Sequence, residues 1–165
     1  MMMVSCEALS ERVGCELRDA GMTIACAESC TGGLLTSTLT DISGSSAYVM
    51  GSVVSYSNDV KCRILHVQEE TLSAYGAVSE ETAFEMAEGI RNLMQTDIGI
   101  GITGIAGPYG GSADKPVGLV YIAAADKNHT IVSKNIFSGT RLENKWAAVQ
   151  KALTLVHDMI RSTTR

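Results

Sequence analysis

The hydrophobic pattern of this chain alternates between helical spacing and short apolar runs. Apolar residues three and four positions apart predict helices, and short runs rich in β-branched residues predict strands. The pattern predicts strands at residues 23–27, 48–57, 98–103, 117–125 and 130–137. It predicts helices around residues 8–20, 34–42, 79–93 and 142–160, and a short helix or turn at 59–65.

Capping residues and apolar stripes define several of these elements further. Gly21 stands where the C-terminal cap of the first helix belongs, and Ser79 stands at an N-cap position before two glutamates. Residues 126–129 predict a hairpin turn between the last two strands. The stripe after Ser79 consists of Ala83, Met86, Ala87, Ile90 and Leu93. The stripe of the last helix consists of Leu142, Trp146, Val149, Leu153, Val156 and Ile160.

The order of the elements predicts an α/β fold, a three-layer α/β/α sandwich around a mixed sheet. The length favours a single domain over residues 1–165, and no linker, repeat or low-complexity tract interrupts it. In open α/β sheets, ligands bind beyond the carboxyl ends of the strands. Three loops rich in glycine or serine follow predicted strands, at 27–33, 55–58 and 103–111, and we expect them to converge on one pocket.

Charge and hydropathy narrow the classes of partner. The net charge of −5 argues against a dedicated duplex-DNA-binding protein, because phosphate neutralisation needs a basic surface. A small anionic ligand is compatible with this charge, since it needs only a local cradle of donors. No apolar run is long enough to span a bilayer, and residues 1–4 are too short for a signal peptide. We therefore expect a cytoplasmic protein with no membrane or nucleic-acid partner.

The cysteines fit a reducing compartment and do not indicate a metal site. The five of them, Cys6, Cys15, Cys26, Cys30 and Cys62, include no CxxC pair. The three histidines lie far from any cysteine cluster, so no zinc site is expected. We expect mostly buried free thiols and no metal.

The segment Ala27-Glu28-Ser29-Cys30-Thr31-Gly32-Gly33 contains the first candidate for chemistry. It joins a predicted strand to a predicted helix, where backbone N–H groups without a partner inside the helix can hold an anion or an oxyanion. Ser29 is therefore a candidate nucleophile, and Cys30 is either its rival or a small buried residue. The alternative is an ordinary Gly-rich turn that ends the strand and caps the helix.

A nucleophilic serine needs a base, and the second loop offers one. None of the histidines lies in a Gly-rich loop, so a Ser-His-Asp triad is not indicated. Lys61 can serve if burial lowers its pKa from about 10.4 toward neutrality, with Tyr56 between Lys61 and Ser29 to hold or relay the proton. The alternative is a solvated Lys61 on a helix face and Tyr56 as an aromatic residue of an edge strand.

The third loop, residues 104–116, is rich in glycine and contains both prolines of the chain. Its glycines allow several N–H groups to face a ligand, although the P-loop and GxGxxG patterns are absent. Such a loop in a compact domain favours a function over a mobile surface loop. Arg141, at the start of the last helix, is either a partner for phosphate or carboxylate or a surface arginine.

Together these segments resemble the CinA C-terminal domain family over roughly residues 5–160. Each motif alone is weak, and their order makes the combination specific. The resemblance implies an α/β/α domain, often in dimers or higher oligomers. It also implies a nicotinamide mononucleotide (NMN) deamidase, which converts NMN and water to nicotinic acid mononucleotide and ammonia. The segments that carry it are 27–33, 55–58 with Lys61, 76–79, 103–108, 110–111 and 115–118.

The resemblance also implies roles for individual residues. It makes Ser29 the nucleophile and Lys61 its base, with Tyr56 as a third catalytic residue. The residues expected to bind substrate are Cys30, Thr31, Gly32, Gly33, Thr103, Gly104 and Arg141. No cofactor is expected, because the protein supplies the nucleophile. Larger family members carry an N-terminal molybdopterin-binding-like domain, and we expect the stand-alone form here, without the activity of that domain.

Two other functions stay open at this point. One is a non-catalytic nucleotide-binding module that acts through a protein partner in competence or DNA-damage responses. Tight NMN binding without ammonia release would favour it. The other is a general amidase or esterase, which a comparison of NMN with free nicotinamide would reveal.

Overall fold

The structure, a computed structural model, describes residues 2–163, with side chains for residues 5–163. In chain order its elements are α1 (Met2–Ala20), β1 (Ile24–Glu28), α2 (Leu34–Thr40), a 3₁₀ turn (Ser45–Ala47), β2 (Val49–Val54), α3 (Asn58–Leu65), α4 (Glu69–Tyr75), α5 (Glu80–Met94), β3 (Ile98–Gly104), β4 (Leu119–Ala125), β5 (Thr130–Ile136) and α6 (Arg141–Thr163).

The five strands form one mixed sheet in the order β2-β1-β3-β4-β5. The first three strands along the chain run parallel, and β4 and β5 add an antiparallel hairpin. Helices α1, α2 and α6 pack on one face of the sheet, and α3 and α5 pack on the other. The predicted three-layer α/β/α sandwich is therefore confirmed.

Burial of the central strands on both faces explains their continuous apolar runs. In β1, Ile24 and Cys26 belong to the core under α1 and α6. The intervening Ala25 and Ala27 belong to the core under α5, where they meet Met86. Successive side chains of a strand point to opposite faces, so a strand covered by helices on both sides needs apolar residues at every position.

Strand β3 uses glycine to bring α5 against the sheet. Its isoleucines lie in the core on the α6 side, whereas Gly99 and Gly101 face α5. A Cβ on Gly99 would lie 2.3 Å from the carbonyl oxygen of Ala87, and a Cβ on Gly101 would lie 2.5 Å from that of Ala83. The helix backbone therefore approaches the strand backbone more closely than any side chain would allow.

We expect Gly101→Ala to lower the free energy of unfolding by about 2 kcal/mol, because the new methyl group overlaps backbone atoms of α5. Urea unfolding measures this loss. Gly51→Ala in β2 is the matched control, since a Cβ there would meet the flexible end of the Met94 side chain at 3.0 Å. Equal losses in the two variants would contradict the close packing of α5 on β3.

Two residues of the predicted stripes are not buried. Leu93 is 45% exposed and Leu142 is 60% exposed, so their predicted burial is wrong. In α5 the residue that packs against the core after Ile90 is Met94, four positions later, and not Leu93, three positions later. In α6 the buried face begins only at Asn144.

Helix α4 was not predicted, because it buries no residue and so leaves no apolar stripe in the sequence.

Other elements agree with the prediction apart from their ends. Strand β2 stops at Val54 instead of continuing to residue 57. The predicted N-cap is confirmed, since the Ser79 side chain accepts a hydrogen bond from the backbone N–H of Thr82. The predicted hairpin turn is also present, with the Asp126 carboxylate accepting from the N–H groups of Asn128 and His129.

Candidate active site

The loops that follow β1, β2 and β3 meet at the carboxyl edge of the sheet, as expected for an open α/β sheet. They enclose a cavity of about 300 Å³, at the small end of the range for ligand sites. The cavity is lined by Ser29, Cys30, Tyr56, Asn58, Lys61, Ala77, Val78, Thr103, Gly104, Ile105, Ala106, Gly107, Tyr109, Gly110 and Arg141.

At the floor of the cavity Ser29 and Lys61 are in direct contact. Lys61 Nζ lies 3.1 Å from Ser29 Oγ and 2.6 Å from the carbonyl oxygen of Ser55. Both side chains are shielded from solvent, since Ser29 is 9% exposed and Lys61 is 1% exposed. The sequence separates these two residues by 32 positions, and the parallel pairing of β1 with β2 brings them together.

Local structure after β2 points Lys61 into the site. The Ser57 side chain accepts a hydrogen bond from the backbone N–H of Val60 and so starts α3 at residue 58. Lys61 then lies on the first turn of α3, while the carbonyl of Ser55 precedes the cap. The amine therefore reaches both Ser29 and the end of its own strand.

The environment of Lys61 shifts its amine toward the neutral form. Burial lowers the pKa of Lys61 from its ordinary value. A protonated Lys61 would have three N–H donors, but its Nζ has only two hydrogen-bond partners in the described part of the chain. A neutral amine needs only two acceptors at most, and its lone pair can face the Ser29 hydroxyl. The arrangement is that of a nucleophile beside its general base.

Glu28 occupies the helix terminus that was expected to hold an anion. Its carboxylate is fully buried and accepts hydrogen bonds from the backbone N–H groups of Gly33, Leu35 and Thr36 and from the Thr36 hydroxyl. This internal cap holds the loop after β1 on α2. The signal for this cap is present in the sequence, because an acidic residue precedes the predicted helix.

Three residues expected to bind substrate, Thr31, Gly32 and Gly33, do not line the cavity. The N–H of Gly33 donates to Glu28, and the N–H of Gly32 donates to the carbonyl of Ser29. The expectation that these two N–H groups are free is therefore wrong. In the described residues, the N–H groups of Cys30 and Thr31 donate to no other residue's carbonyl or carboxylate.

The structure makes Cys30 a poor nucleophile. Burial is the main cause that raises the pKa of its thiol to about 12, and the nearby carboxylate of Glu28 adds to it. Cys30 lines the cavity but is 7% exposed and stays protonated at neutral pH. Of the two adjacent candidates, only Ser29 has a base against it.

Tyr56 does not lie between Ser29 and Lys61. Its hydroxyl accepts a hydrogen bond from the Arg141 guanidinium at 3.1 Å, and its side chain is 64% exposed. Lys61 needs no relay, because it touches Ser29 directly. Arg141 also donates to the carbonyl of Gly107 at 2.7 Å and so joins the second loop, the third loop and α6 at the cavity mouth.

The remaining predicted residues also line the cavity. Thr103 is buried and donates through its hydroxyl to the carbonyl of Ala77 at 2.6 Å, which fixes the segment before α5 against the end of β3. Gly104, the next residue along the chain, also lines the cavity. Sequence reasoning gave no role to Tyr109 or to Lys145, whose Nζ would lie 3.8 Å from a Cβ on Gly32. Position in the fold alone brings Lys145 to the loop after β1.

Within residues 2–163, no helix has the length and apolar content needed to cross a membrane. Over the same residues, no cluster of three or more histidine, cysteine, aspartate or glutamate side chains has an arrangement suited to a metal ion.

Comparison with known sequences gives one consistent family. A model described as the CinA C-terminal domain matches residues 6–160. A CinA-like protein from Syntrophomonas wolfei is 53% identical over 140 residues, which cover 85% of this chain and 34% of the relative. A CinA-like protein from Endomicrobium trichonymphae is 49% identical over 150 residues, which cover 91% of this chain and 35% of the relative. The chain thus spans about a third of the length of these curated relatives.

Solved structures extend this similarity to the fold. The competence/damage inducible protein CihA from Agrobacterium tumefaciens matches with a TM-score of 0.92 and 40% identity, over 93% of this chain and 94% of that chain. A CinA superfamily protein from Klebsiella pneumoniae matches with a TM-score of 0.92 and 33% identity, over 95% of this chain and 98% of that chain.

Proposed function

This chain belongs to the CinA C-terminal domain family, and we propose that it is an amidohydrolase that converts the carboxamide of NMN to the carboxylate of nicotinic acid mononucleotide, with release of ammonia. The observation that carries the proposal is the 3.1 Å contact between Lys61 Nζ and Ser29 Oγ in a buried site. A serine beside a neutral amine is suited to attack on a carbonyl carbon without metal or cofactor.

In the first half of the reaction, Ser29 Oγ attacks the carboxamide carbon while Lys61 takes the hydroxyl proton. The tetrahedral intermediate carries an oxyanion, and the backbone N–H of Cys30 is the donor that this loop offers at the cavity, since within the described residues it donates to no other residue's backbone. Lys61 then returns the proton to the departing amine. Ammonia leaves, and an ester joins Ser29 to the nicotinoyl group.

In the second half, a water molecule takes the place of ammonia. Lys61 is neutral again and accepts a proton from this water, which attacks the ester carbon. Collapse of the second tetrahedral intermediate breaks the bond to Ser29 Oγ, which recovers its proton from Lys61. The product leaves as the carboxylic acid and becomes the carboxylate by losing its remaining proton to solvent, and the enzyme returns to its starting state.

The phosphate of the substrate needs a positive region, although the whole chain has a net charge of −5. Arg141 and Lys145 supply one on the first turns of α6, close enough to Cys30 that both charges act to lower the pKa of its thiol. Arg141 has five N–H donors, and its two hydrogen bonds leave others available. We assign the phosphate to this pair.

The test measures ammonia release from NMN, from nicotinamide riboside, which lacks only the phosphate, and from nicotinamide. We expect kcat/KM to fall about tenfold to hundredfold from NMN to the riboside, the range for a charge-assisted hydrogen bond. Lys145→Met is expected to lower kcat/KM for NMN and to leave the riboside unchanged. Equal rates on all three amides would instead indicate a general amidase.

The name of the Agrobacterium tumefaciens protein, competence/damage inducible protein CihA, keeps a non-catalytic nucleotide-binding module as the second candidate. That candidate predicts NMN binding without ammonia release. Absence of ammonia release from all three amides by the intact protein would favour it and would overturn the amidase proposal.

A further inference from the structure

Tyr109 is the most exposed large apolar side chain in the described part of the chain, and it lines the cavity. Its side chain is 88% exposed, whereas Tyr56 on the same rim is 64% exposed and holds a hydrogen bond to Arg141. Within residues 2–163 the Tyr109 hydroxyl has no hydrogen-bond partner. Tyr109 is thus a large aromatic ring at the mouth of the site with no role in the packing of the fold.

The loop that carries Tyr109 is held in place on both sides of the ring. At its base the N–H of Ile105 donates to Leu119, and the N–H of Gly118 donates back to Ile105. Gly107 and Gly110 flank the tip, with φ of 89° and 93°, which favour glycine. Arg141 binds the carbonyl of Gly107 at 2.7 Å. The ring is therefore presented to the cavity by a fixed turn.

The depth of the site sets what Tyr109 can touch. Ser29 and Lys61 are buried at the floor, and Tyr109 is exposed at the rim. A carboxamide placed on Ser29 is attached directly to the pyridinium ring of NMN. That ring must extend from the floor into the cavity, which Val78 and Ile105 also line. The aromatic residue at the rim then lies within reach of the substrate ring.

We propose that Tyr109 determines specificity by presenting its aromatic face to the cationic pyridinium ring of the substrate. This inference rests on the proposed function. The face of a tyrosine ring is negative and attracts a cation placed over it. The pyridinium of NMN is positive and planar, whereas the dihydropyridine ring of reduced NMN is uncharged. Tyr109 therefore favours the oxidised nucleotide over the reduced one.

Binding to the Ser29→Ala protein tests this without turnover. Titration calorimetry gives Kd for NMN and for reduced NMN with Tyr109 intact, with Tyr109→Phe and with Tyr109→Leu. We expect Tyr109→Leu to weaken NMN binding by about fivefold to thirtyfold, the usual range for a cation over an aromatic ring. We expect Tyr109→Phe to keep it, because the aromatic face remains. Binding of reduced NMN is expected to change by less than about twofold in either variant.

Tyr75→Leu is the matched control, since Tyr75 is also exposed but does not line the cavity. Unchanged NMN binding in Tyr109→Leu would overturn the inference. An equal loss for oxidised and reduced NMN would also overturn it, because a charge-dependent contact must distinguish them. Failure of the intact protein to release ammonia would overturn the proposed function alone, since these binding measurements do not require turnover.

Discussion

Ser29→Ala is expected to lower kcat for ammonia release from NMN by at least about a thousandfold, the usual cost of removing a catalytic nucleophile. The alanine leaves no oxygen to form the ester, while the buried Lys61 and the backbone N–H of Cys30 remain. NMN binding should survive, because the hydroxyl contributes to the reaction more than to the bound ground state. Steady-state kinetics and the calorimetric Kd together measure this separation.

The controls for Ser29→Ala isolate the nucleophile. Ser133→Ala removes a serine from β5 outside the cavity and should leave kcat unchanged. Cys30→Ala removes the neighbouring thiol, which burial keeps protonated, and should retain most of the activity. If Ser29→Ala kept its rate and Cys30→Ala lost it, the nucleophile would be the cysteine and the mechanism would need to be rebuilt around it.

Lys61→Met and Lys61→Arg are both expected to lower kcat/KM by about a hundredfold to ten-thousandfold, the usual contribution of a general base. Methionine fills a similar volume but has no amine. Arginine retains the charge but stays protonated, so it cannot accept the proton of Ser29. The loss in Lys61→Arg would show that the lone pair is required and that a positive charge does not replace it.

The pH dependence gives a second measurement on the same residue. Because burial lowers the pKa of Lys61, the neutral amine is populated below the ordinary lysine pKa of about 10.4. We expect kcat/KM to rise with pH up to the pKa of Lys61 and then to level, and the rate is lost as pH falls through that value. Lys127→Met, at an exposed lysine, should keep this limb. If kcat/KM of Lys61→Met still rose with pH in the same range, the assignment of Lys61 as the base would be contradicted.

The same shift has a consequence for stability. The unfolded chain holds the Lys61 proton to higher pH than the folded chain does, so folding is opposed where the unfolded lysine is protonated and the folded one is neutral. The stability of the wild type relative to Lys61→Met should therefore increase as pH rises toward about 10.4. Urea unfolding of the two proteins at several pH values measures this difference.

Much of the fold could be predicted because the strands are buried on both faces and the long helices carry apolar stripes. The short, continuous apolar runs of β1 and β3 are typical of buried strands. Ser79 indicates the start of α5, because its side chain caps the helix. Helix α4 escaped prediction because it has no fully buried residue, and of its described residues Leu72 alone packs against the core, so no apolar stripe marks it in the sequence. Leu93 was misassigned because spacings of three and four residues are equally compatible with a stripe until the partner surface is known.

The site could be predicted only as a set of residues, without its geometry. The contact of Lys61 with Ser29 depends on strand pairing and on the cap of α3, which spacing along the chain does not reveal. Glu28, in contrast, could have been placed from the sequence alone, because an acidic residue just before a helix commonly accepts hydrogen bonds from the N–H groups of its first turn. A carboxylate inside the protein already satisfies that terminus, so the N–H of Gly33 is not free to stabilise an oxyanion.

The central claim is that an ester on Ser29 is formed and then hydrolysed, and hydroxylamine tests it most directly. With NMN as substrate, the wild type should release ammonia at an unchanged maximal rate if acylation limits turnover, while the product divides between the acid and its hydroxamate in proportion to the hydroxylamine present. Ser29→Ala should form neither product. Ammonia release with no hydroxamate at any hydroxylamine concentration would mean that water attacks the amide directly and would contradict the account.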